Sequence, residues 1–524
     1  MIIVAFKICK EAQHCNLSRQ VAWTVSFATA LLAPHSGAAE WKIKPSINLR
    51  ETYTDNVNLV SGSEKKSSFV TEISPGVSIT GSGAGLKVQA DYVMQNLLYA
   101  NGGNNSETRH QLNAFANAEL VKDLFFLDSS ASISQQNISP FGVQPAGTIN
   151  NSDNTSEVRA YSISPYFKHN FGNIATSEVR YTHDSVSAGT GSLADSQGDR
   201  LSFNANSGSS FRTIGWGLQY NKQKVSSSNN IDDVDNTSYS GTLRYLITPR
   251  FSLNATAGHE KFSYVSVKDK PEDNFWSVGF SWAPTTRTNI MASTGKRFFG
   301  NTYSLAANHR SRNTVWSLGY DEDITSTRSQ FLLPATIITS SFLNNLWTAS
   351  IPDPVTRQRI VDIFIRNTGI PRSLSDSINY FTNQYFLQKR LQASVAVNSA
   401  KSTAIFSVFN TLREAQMSQT IDSTLLGTSN LNLQDDTRQV GGNAIWNWRI
   451  SSRSDFNISA GYSRVKSLTT DRIDHNKTLS LALSKRFTPD LTGTIELRRL
   501  QQNSNQNNGN IRETAISASI LMIL

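Results

Sequence analysis

A transmembrane antiparallel β-barrel of the outer-membrane type, built from about 22 strands, is the fold that three observations on this 524-residue sequence predict. Apolar and polar residues alternate in segment after segment. Short turns alternate with long polar connections. Large aromatics gather beside the short turns.

The alternation is clear in Phe251-Ser-Leu-Asn-Ala-Thr-Ala-Gly258, Trp276-Ser-Val-Gly-Phe-Ser-Trp282 and Phe456-Asn-Ile-Ser-Ala-Gly-Tyr462. Period two puts one face of each strand against an apolar medium and the other against a polar one. Two soluble sheets packed face to face would give the same pattern, so connection lengths decide. Turns such as Lys122-Asp123, Phe171-Gly172-Asn173, Thr248-Pro249-Arg250 and Ser451-Ser-Arg453 alternate with stretches rich in Asn, Ser, Gly and Asp. Short turns on one side and long loops on the other are the signature of an outer-membrane barrel. Phe125, Phe126, Phe171, Trp216, Phe251, Trp282, Trp446, Trp448 and Phe487 lie close to the short turns, where a periplasmic aromatic girdle belongs.

Strands are expected near 44–56, 67–80, 86–100, 107–120, 124–137, 156–169, 174–187, 199–211, 215–226, 236–247 and 251–264. The second half continues with 272–282, 288–299, 301–309, 314–323, 378–397, 402–414, 435–449, 453–467, 474–486, 491–503 and 511–524. An even number places both ends of the barrel on the short-turn, periplasmic side.

Ahead of this array, Lys7, Lys10 and Arg19 precede the apolar run Val21–Ala33 and the small residues Ser36-Gly37-Ala38-Ala39. This reads as a secretory signal peptide over 1–39 with cleavage near Ala39, leaving the barrel over 40–524. The apolar run is shorter than the ~20 residues of a membrane-spanning helix. Both cysteines, Cys9 and Cys15, belong to the leader, so the mature chain carries no disulfide or thiolate chemistry. It is mildly basic without a basic block, which gives nucleic-acid binding little support. With a mean hydropathy of -0.34, a helical membrane bundle is excluded.

Between 324 and 376 the alternation stops. Val355, Ile360, Ile363 and Phe364 fall at near-helical spacing behind Asp353-Pro354, and Gly369 and Pro371 end the run. A long loop holding one short helix is expected, either folded into the lumen or standing outside. Pore-lining candidates are Arg449, Glu496 and Arg498, on the polar phase of their strands, and Arg357, Arg359 and Arg366 on the loop helix. Arginines at a constriction favour anions.

Arg50-Glu-Thr-Tyr-Thr-Asp-Asn-Val-Asn-Leu59, Phe69-Val-Thr-Glu-Ile-Ser-Pro-Gly-Val-Ser-Ile79 and Tyr385-Phe-Leu-Gln-Lys-Arg-Leu-Gln-Ala-Ser-Val-Ala396 together give a further expectation. The chain resembles the outer-membrane β-barrel family associated with the PEP-CTERM/exosortase system of exopolysaccharide-producing Gram-negative bacteria. The resemblance spans the mature chain and rests on strand-and-turn patterns without catalytic residues. It implies an outer-membrane protein that serves surface-polymer or protein-sorting traffic, with lipopolysaccharide around it and exopolysaccharide or its export machinery as partners. The end departs from the usual barrel pattern, since Ile520-Leu-Met-Ile-Leu524 lacks a terminal aromatic residue.

Other chemistry has thinner support. His183-Asp184 near an outer strand end and Asp232-Asp233 on the next long loop would make a rim-site hydrolase if they converged on a cleft. Rim residues of these types more often simply meet water and cations. The Asp/Asn-rich run 229–236 lacks the spacing of a calcium loop, and no zinc pair or phosphate loop appears, so no cofactor or metal is expected. Alternation begins almost at the mature N-terminus, which disfavours a plug domain and energy-coupled uptake. A passive channel or conduit, and not an enzyme, is the expected function, with a non-channel platform or a rim hydrolase as the alternative.

Overall fold

The computed structural model describes residues 39–101, 106–147, 149–189, 195–228, 233–264, 266, 271–332, 381–417, 436–506 and 510–524. They form β1 (Glu40–Thr54), β2 (Ser68–Ser82), β3 (Leu86–Tyr99), β4 (Ser106–Val121), β5 (Phe125–Asn137), β6 (Thr155–Asn170), β7 (Ala175–Ala188) and β8 (Ser196–Ser207). Next come β9 (Ile214–Ser227), β10 (Val234–Thr248), β11 (Phe251–Phe262), β12 (Glu272–Thr285), β13 (Thr288–Arg297), β14 (Gly300–Arg310) and β15 (Thr314–Ser326). A one-turn helix, α1 (Thr327–Leu332), precedes β16 (Tyr385–Asn398), β17 (Ser402–Ala415), β18 (Thr437–Ser451), β19 (Ser454–Ser467), β20 (Ile473–Arg486), β21 (Leu491–Ser504) and β22 (Ile511–Ile523).

Each strand pairs antiparallel with its neighbours in sequence, and β22 returns to β1 from Ser46↔Ile523 to Thr54↔Ala515. Closure leaves no free edge, the condition for a sheet in hydrocarbon. The chain is thus a closed 22-stranded outer-membrane barrel. It closes although no aromatic residue ends β22, and Leu524, just past the strand, donates its N–H to Pro45 O at 2.8 Å.

The apolar phase of each strand faces outward. Leu253, Trp276, Val278, Leu479, Leu497 and Ile516 stand exposed on the outer surface, while their neighbours Ser252, Ser277, Ser480 and Arg498 face the lumen. So large an apolar belt is a liability in water and is what a bilayer covers, which places the protein in the outer membrane. Turns of two to four residues, and one of six between β8 and β9, close one end, and ladder irregularities at Glu119/Val121, Leu246/Thr248, Trp282/Thr285 and Arg449/Ser451 sit beside four of them. In the three-residue β4–β5 turn, Asp123 adopts φ 58° and its N–H donates to the Glu119 carboxylate at 2.5 Å. A short polar side chain tolerates that left-handed conformation better than a bulky one.

Three sequence expectations shift. β8 ends at Ser207, four residues early, because the chain turns at Gly208, whose N–H donates to Ile174 O at 2.7 Å. β16 starts at Tyr385 rather than at 378, since Phe381 is already engaged elsewhere. Phe126, assigned to the girdle, faces the lumen and stacks on Tyr166 with ring centroids 5.0 Å apart. The expected helix around 353–366 lies outside the described residues, as do residues 1–38 of the expected signal peptide over 1–39.

Candidate functional site

The lumen carries the polar phase of every strand and is crossed near its outer end by two inward segments. The first is the β5–β6 connection, 138–154. Asn154 holds it together, accepting from Ser139 N at 2.8 Å and donating to Ser139 O and Val143 O, both at 2.9 Å. From there the segment reaches eight strand positions around the wall. Arg109 on β4 donates to Asn150 O at 3.0 Å, Gln502 on β21 to Gly142 O at 2.9 Å, and Arg472 before β20 to Phe141 O at 2.6 Å. Its apolar residues find partners on the same wall. Ile149 packs with Val57, Val70, Leu97 and Tyr99, Val143 against Leu59, Leu500 and Ile511, and Phe141 on Val465.

Glu513 is the hub of this contact. Its fully buried carboxylate accepts from Thr54 Oγ1 at 2.8 Å, Asn150 Nδ2 at 2.7 Å and Arg498 Nη2 at 3.1 Å. Several charge-assisted bonds offset the cost of burying a carboxylate.

The second inward segment comprises α1 and residues 381–384, the two described ends of the long β15–β16 connection. Arg328 reaches eight strands across the barrel, pairing with Asp184 on β7 and donating to Ser196 Oγ on β8 at 2.8 Å. Gly198 makes room, since a Cβ there would stand 2.7 Å from Arg328 Nη2 and 2.9 Å from Asp184 Oδ2. The two segments also meet. Phe381 N–H donates to Ile138 O at 3.0 Å, and Phe381 packs with Ile138, Val158 and Val186 while stacking edge-on with Phe331. Near β11 and β16, Tyr264 stacks on Tyr385 at 5.4 Å, and burial pushes the Tyr264 phenol well above its ordinary value, keeping it neutral.

Asp184→Ala leaves the Arg328 guanidinium buried without its partner, a change that typically costs about 3–5 kcal/mol. The expected result is release of α1 from the wall with the barrel retained. Proteolysis within 327–332 should increase while the protein keeps its folded, heat-modifiable migration. Equal protection in both proteins would count against the anchor.

Below the crossing, ion pairs line the wall. Arg180 donates to Asp128 at 2.7 Å and Glu178 at 2.9 Å and lies 3.8 Å over the Tyr166 ring. Arg297 joins Glu260 and Asp323, each at 2.6 Å. A polar recess of about 590 Å³ lies between them, lined by Arg180, Arg200, Asn204, Gln219, Glu260 and Arg297.

At the short-turn end the balance changes. Lys44, Lys87, Lys168, Arg244, Arg310, Arg449 and Arg486 occupy lumen-facing positions close to the strand ends, on seven strands spread around the circumference. Inward acids at this end are engaged or opposed. Glu40 holds Lys42, Glu119 accepts the Asp123 N–H, Glu178 holds Arg180, and Asp455 lies opposite Arg449 in the ladder. The result is a cationic ring at the periplasmic mouth.

Of the sequence candidates, Arg449, Glu496 and Arg498 all face the lumen but stand apart. Arg449 belongs to the mouth ring, Glu496 accepts from Ser480 Oγ at 2.5 Å midway along β21, and Arg498 holds Glu513 beneath the first inward segment. Arg357, Arg359 and Arg366 lie outside the described residues. His183 and Asp184 do not form a pair. His183 faces outward and meets Asp199 at 2.9 Å, whereas Asp184 faces inward to Arg328, as adjacent residues on one strand must. Asp233 pairs with Lys224 at 2.8 Å, and Asp232 lies outside the described residues.

No protein-family model matches the chain, and no curated protein matches it. Solved structures similar to it include the siderophore receptor PirA from Pseudomonas aeruginosa, at 10% identity and a TM-score of 0.46, over 92% of this chain and 80% of that one. The FrpB iron transporter from Neisseria meningitidis (F3-3 variant) is similar at 10% identity and a TM-score of 0.49, over 92% and 82%. The OpdK structure with vanillate from Pseudomonas aeruginosa is similar at 8% identity and a TM-score of 0.34, over 92% and 99%.

Proposed function

We propose that this barrel is a passive, non-enzymatic conduit for anionic solutes or acidic polymer across the outer membrane, in the service of an exopolysaccharide/PEP-CTERM surface-sorting system. The cationic ring at the periplasmic mouth carries the reading. Fixed positive charge around an opening raises the local concentration of anions and lowers their entry barrier. The paired charges farther up the lumen hold passing anions weakly, and the two inward segments narrow the outer half. The link to polymer traffic rests on the resemblance of the Arg50, Phe69 and Tyr385 segments described above. The partners it implies are exopolysaccharide or its export machinery on the periplasmic side.

Neutralising the ring tests the charge selectivity. In Lys87→Gln/Lys168→Gln/Arg244→Gln/Arg486→Gln, the anion-to-cation permeability ratio, read from reversal potentials across a salt gradient in planar bilayers, should fall several-fold toward unity. An unchanged ratio would remove the ring from the account.

A further inference from the structure

Outward charges near the long-loop rim are balanced around most of the barrel. Arg159 pairs with Glu157 at 2.7 Å, Lys224 with Asp233 at 2.8 Å, Lys261 with Glu272 at 3.2 Å, and Lys389 with Glu414 at 3.7 Å. The sector β18–β22 breaks this pattern, because its outward positions hold basic residues and no acid. Lys466 meets Asp471 in the adjoining turn at 3.0 Å, and Arg438 donates to Asn410 at 3.2 Å. Arg464, Lys477, Arg499 and Arg512 are exposed and make no side-chain hydrogen bond or ion pair among the described residues.

The register brings these four together. Gln501 lies opposite Lys477 on one side and Arg512 on the other, with Arg499 diagonal to both. Arg464 lies opposite His475 and therefore diagonal to Lys477. Diagonal neighbours in an antiparallel ladder stand about 7–8 Å apart, and like charges so placed repel unless an anion lies between them. The patch also begins where the apolar belt stops. Arg499 follows Ile495 and Leu497 on the outward phase of β21, Lys477 precedes Leu479 and Leu483 on β20, and Ile516 lies opposite Leu497.

We propose that this surface is a binding site for a phosphorylated glycolipid of the outer leaflet. The headgroup phosphates lie among Arg464, Lys477, Arg499 and Arg512, and the acyl chains run down over Leu479, Leu497 and Ile516. A soluble anion would gain nothing from the apolar strip directly beneath the cations. An amphiphile with its phosphates at the polar boundary uses both, and arginine suits phosphate through bidentate hydrogen bonds.

The test uses the full folded protein in detergent and purified diphosphorylated lipid A, with dephosphorylated lipid A and inorganic phosphate as the other arms. Binding is read by native mass spectrometry. The wild type should retain diphosphorylated lipid A, while Arg464→Gln/Lys477→Gln/Arg499→Gln/Arg512→Gln should lose at least ten-fold in occupancy. An Arg464→Lys/Arg499→Lys/Arg512→Lys variant, which keeps the charge, should retain most of it. Heat-modifiable migration confirms that each variant is folded. Equal occupancy in wild type and the Gln variant, equal binding of dephosphorylated lipid A, or full displacement by millimolar inorganic phosphate would each overturn the proposal.

Discussion

Leu481→Arg is expected to stop the protein from reaching its folded state in the membrane and Leu253→Arg, closer to the short turns, to lower its folded yield, while Asn254→Arg and Ser480→Arg assemble normally. Within each adjacent pair the two positions differ in face. Leu253 and Leu481 lie on the outward phase of β11 and β20, whereas Asn254 and Ser480 point into the lumen. An arginine facing lipid near the bilayer midplane, the depth of Leu481, costs about 2–4 kcal/mol, a large share of a domain's usual stability margin of about 5–15 kcal/mol. It costs less toward the interface, where Leu253 lies two residues past Phe251 of the girdle. At 480 the new guanidinium would even find Glu496, which already accepts from the Ser480 hydroxyl. Heat-modifiable migration of outer-membrane fractions reads the outcome directly. Similar behaviour of all four variants would invalidate the assignment of faces.

The second large effect is expected from the β5–β6 segment. Replacing 140–152 by a short Gly/Ser linker removes Phe141, Val143, Ile149 and Asn150 from the opposite wall, and with them one of the two crossings. Single-channel conductance should rise several-fold over the wild type. Glu513 would lose the Asn150 amide but keep Thr54 and Arg498, so the wall should survive the deletion. An unaltered conductance would mean that the segment does not limit flow.

The barrel was legible in the sequence because membrane and lumen impose opposite demands on alternate residues. Period two therefore persists even in strands as polar as β8, where Ser196 to Asp199 resemble loop residues until the inward serine and glycine are set beside Arg328. The break in alternation at 324–376 marked the long connection that carries the second crossing without choosing between lumen and exterior, and the first crossing was not legible. Residues 138–154 have the Ser, Asn, Gly and Pro content of a solvated outer loop, and the one signal was Ile138, Phe141, Val143 and Ile149 at no regular spacing. Irregular apolar residues disclose burial but not the partner, since Val465 and Leu500 lie more than 300 positions away in sequence. The separation of His183 from Asp184, by contrast, follows from the strand period alone. The mouth ring was half legible. Arg449 stands out on the polar phase, but the convergence of Lys87, Lys168, Arg244 and Arg486 at one end requires all the strand directions at once.

Reconstitution of the purified, folded wild-type protein in planar bilayers under a salt gradient tests the conduit most directly. Discrete conductance steps with a reversal potential on the anion-selective side are the predicted result. A folded, heat-modifiable protein that gives no steps, either intact or with 140–152 removed, would contradict it.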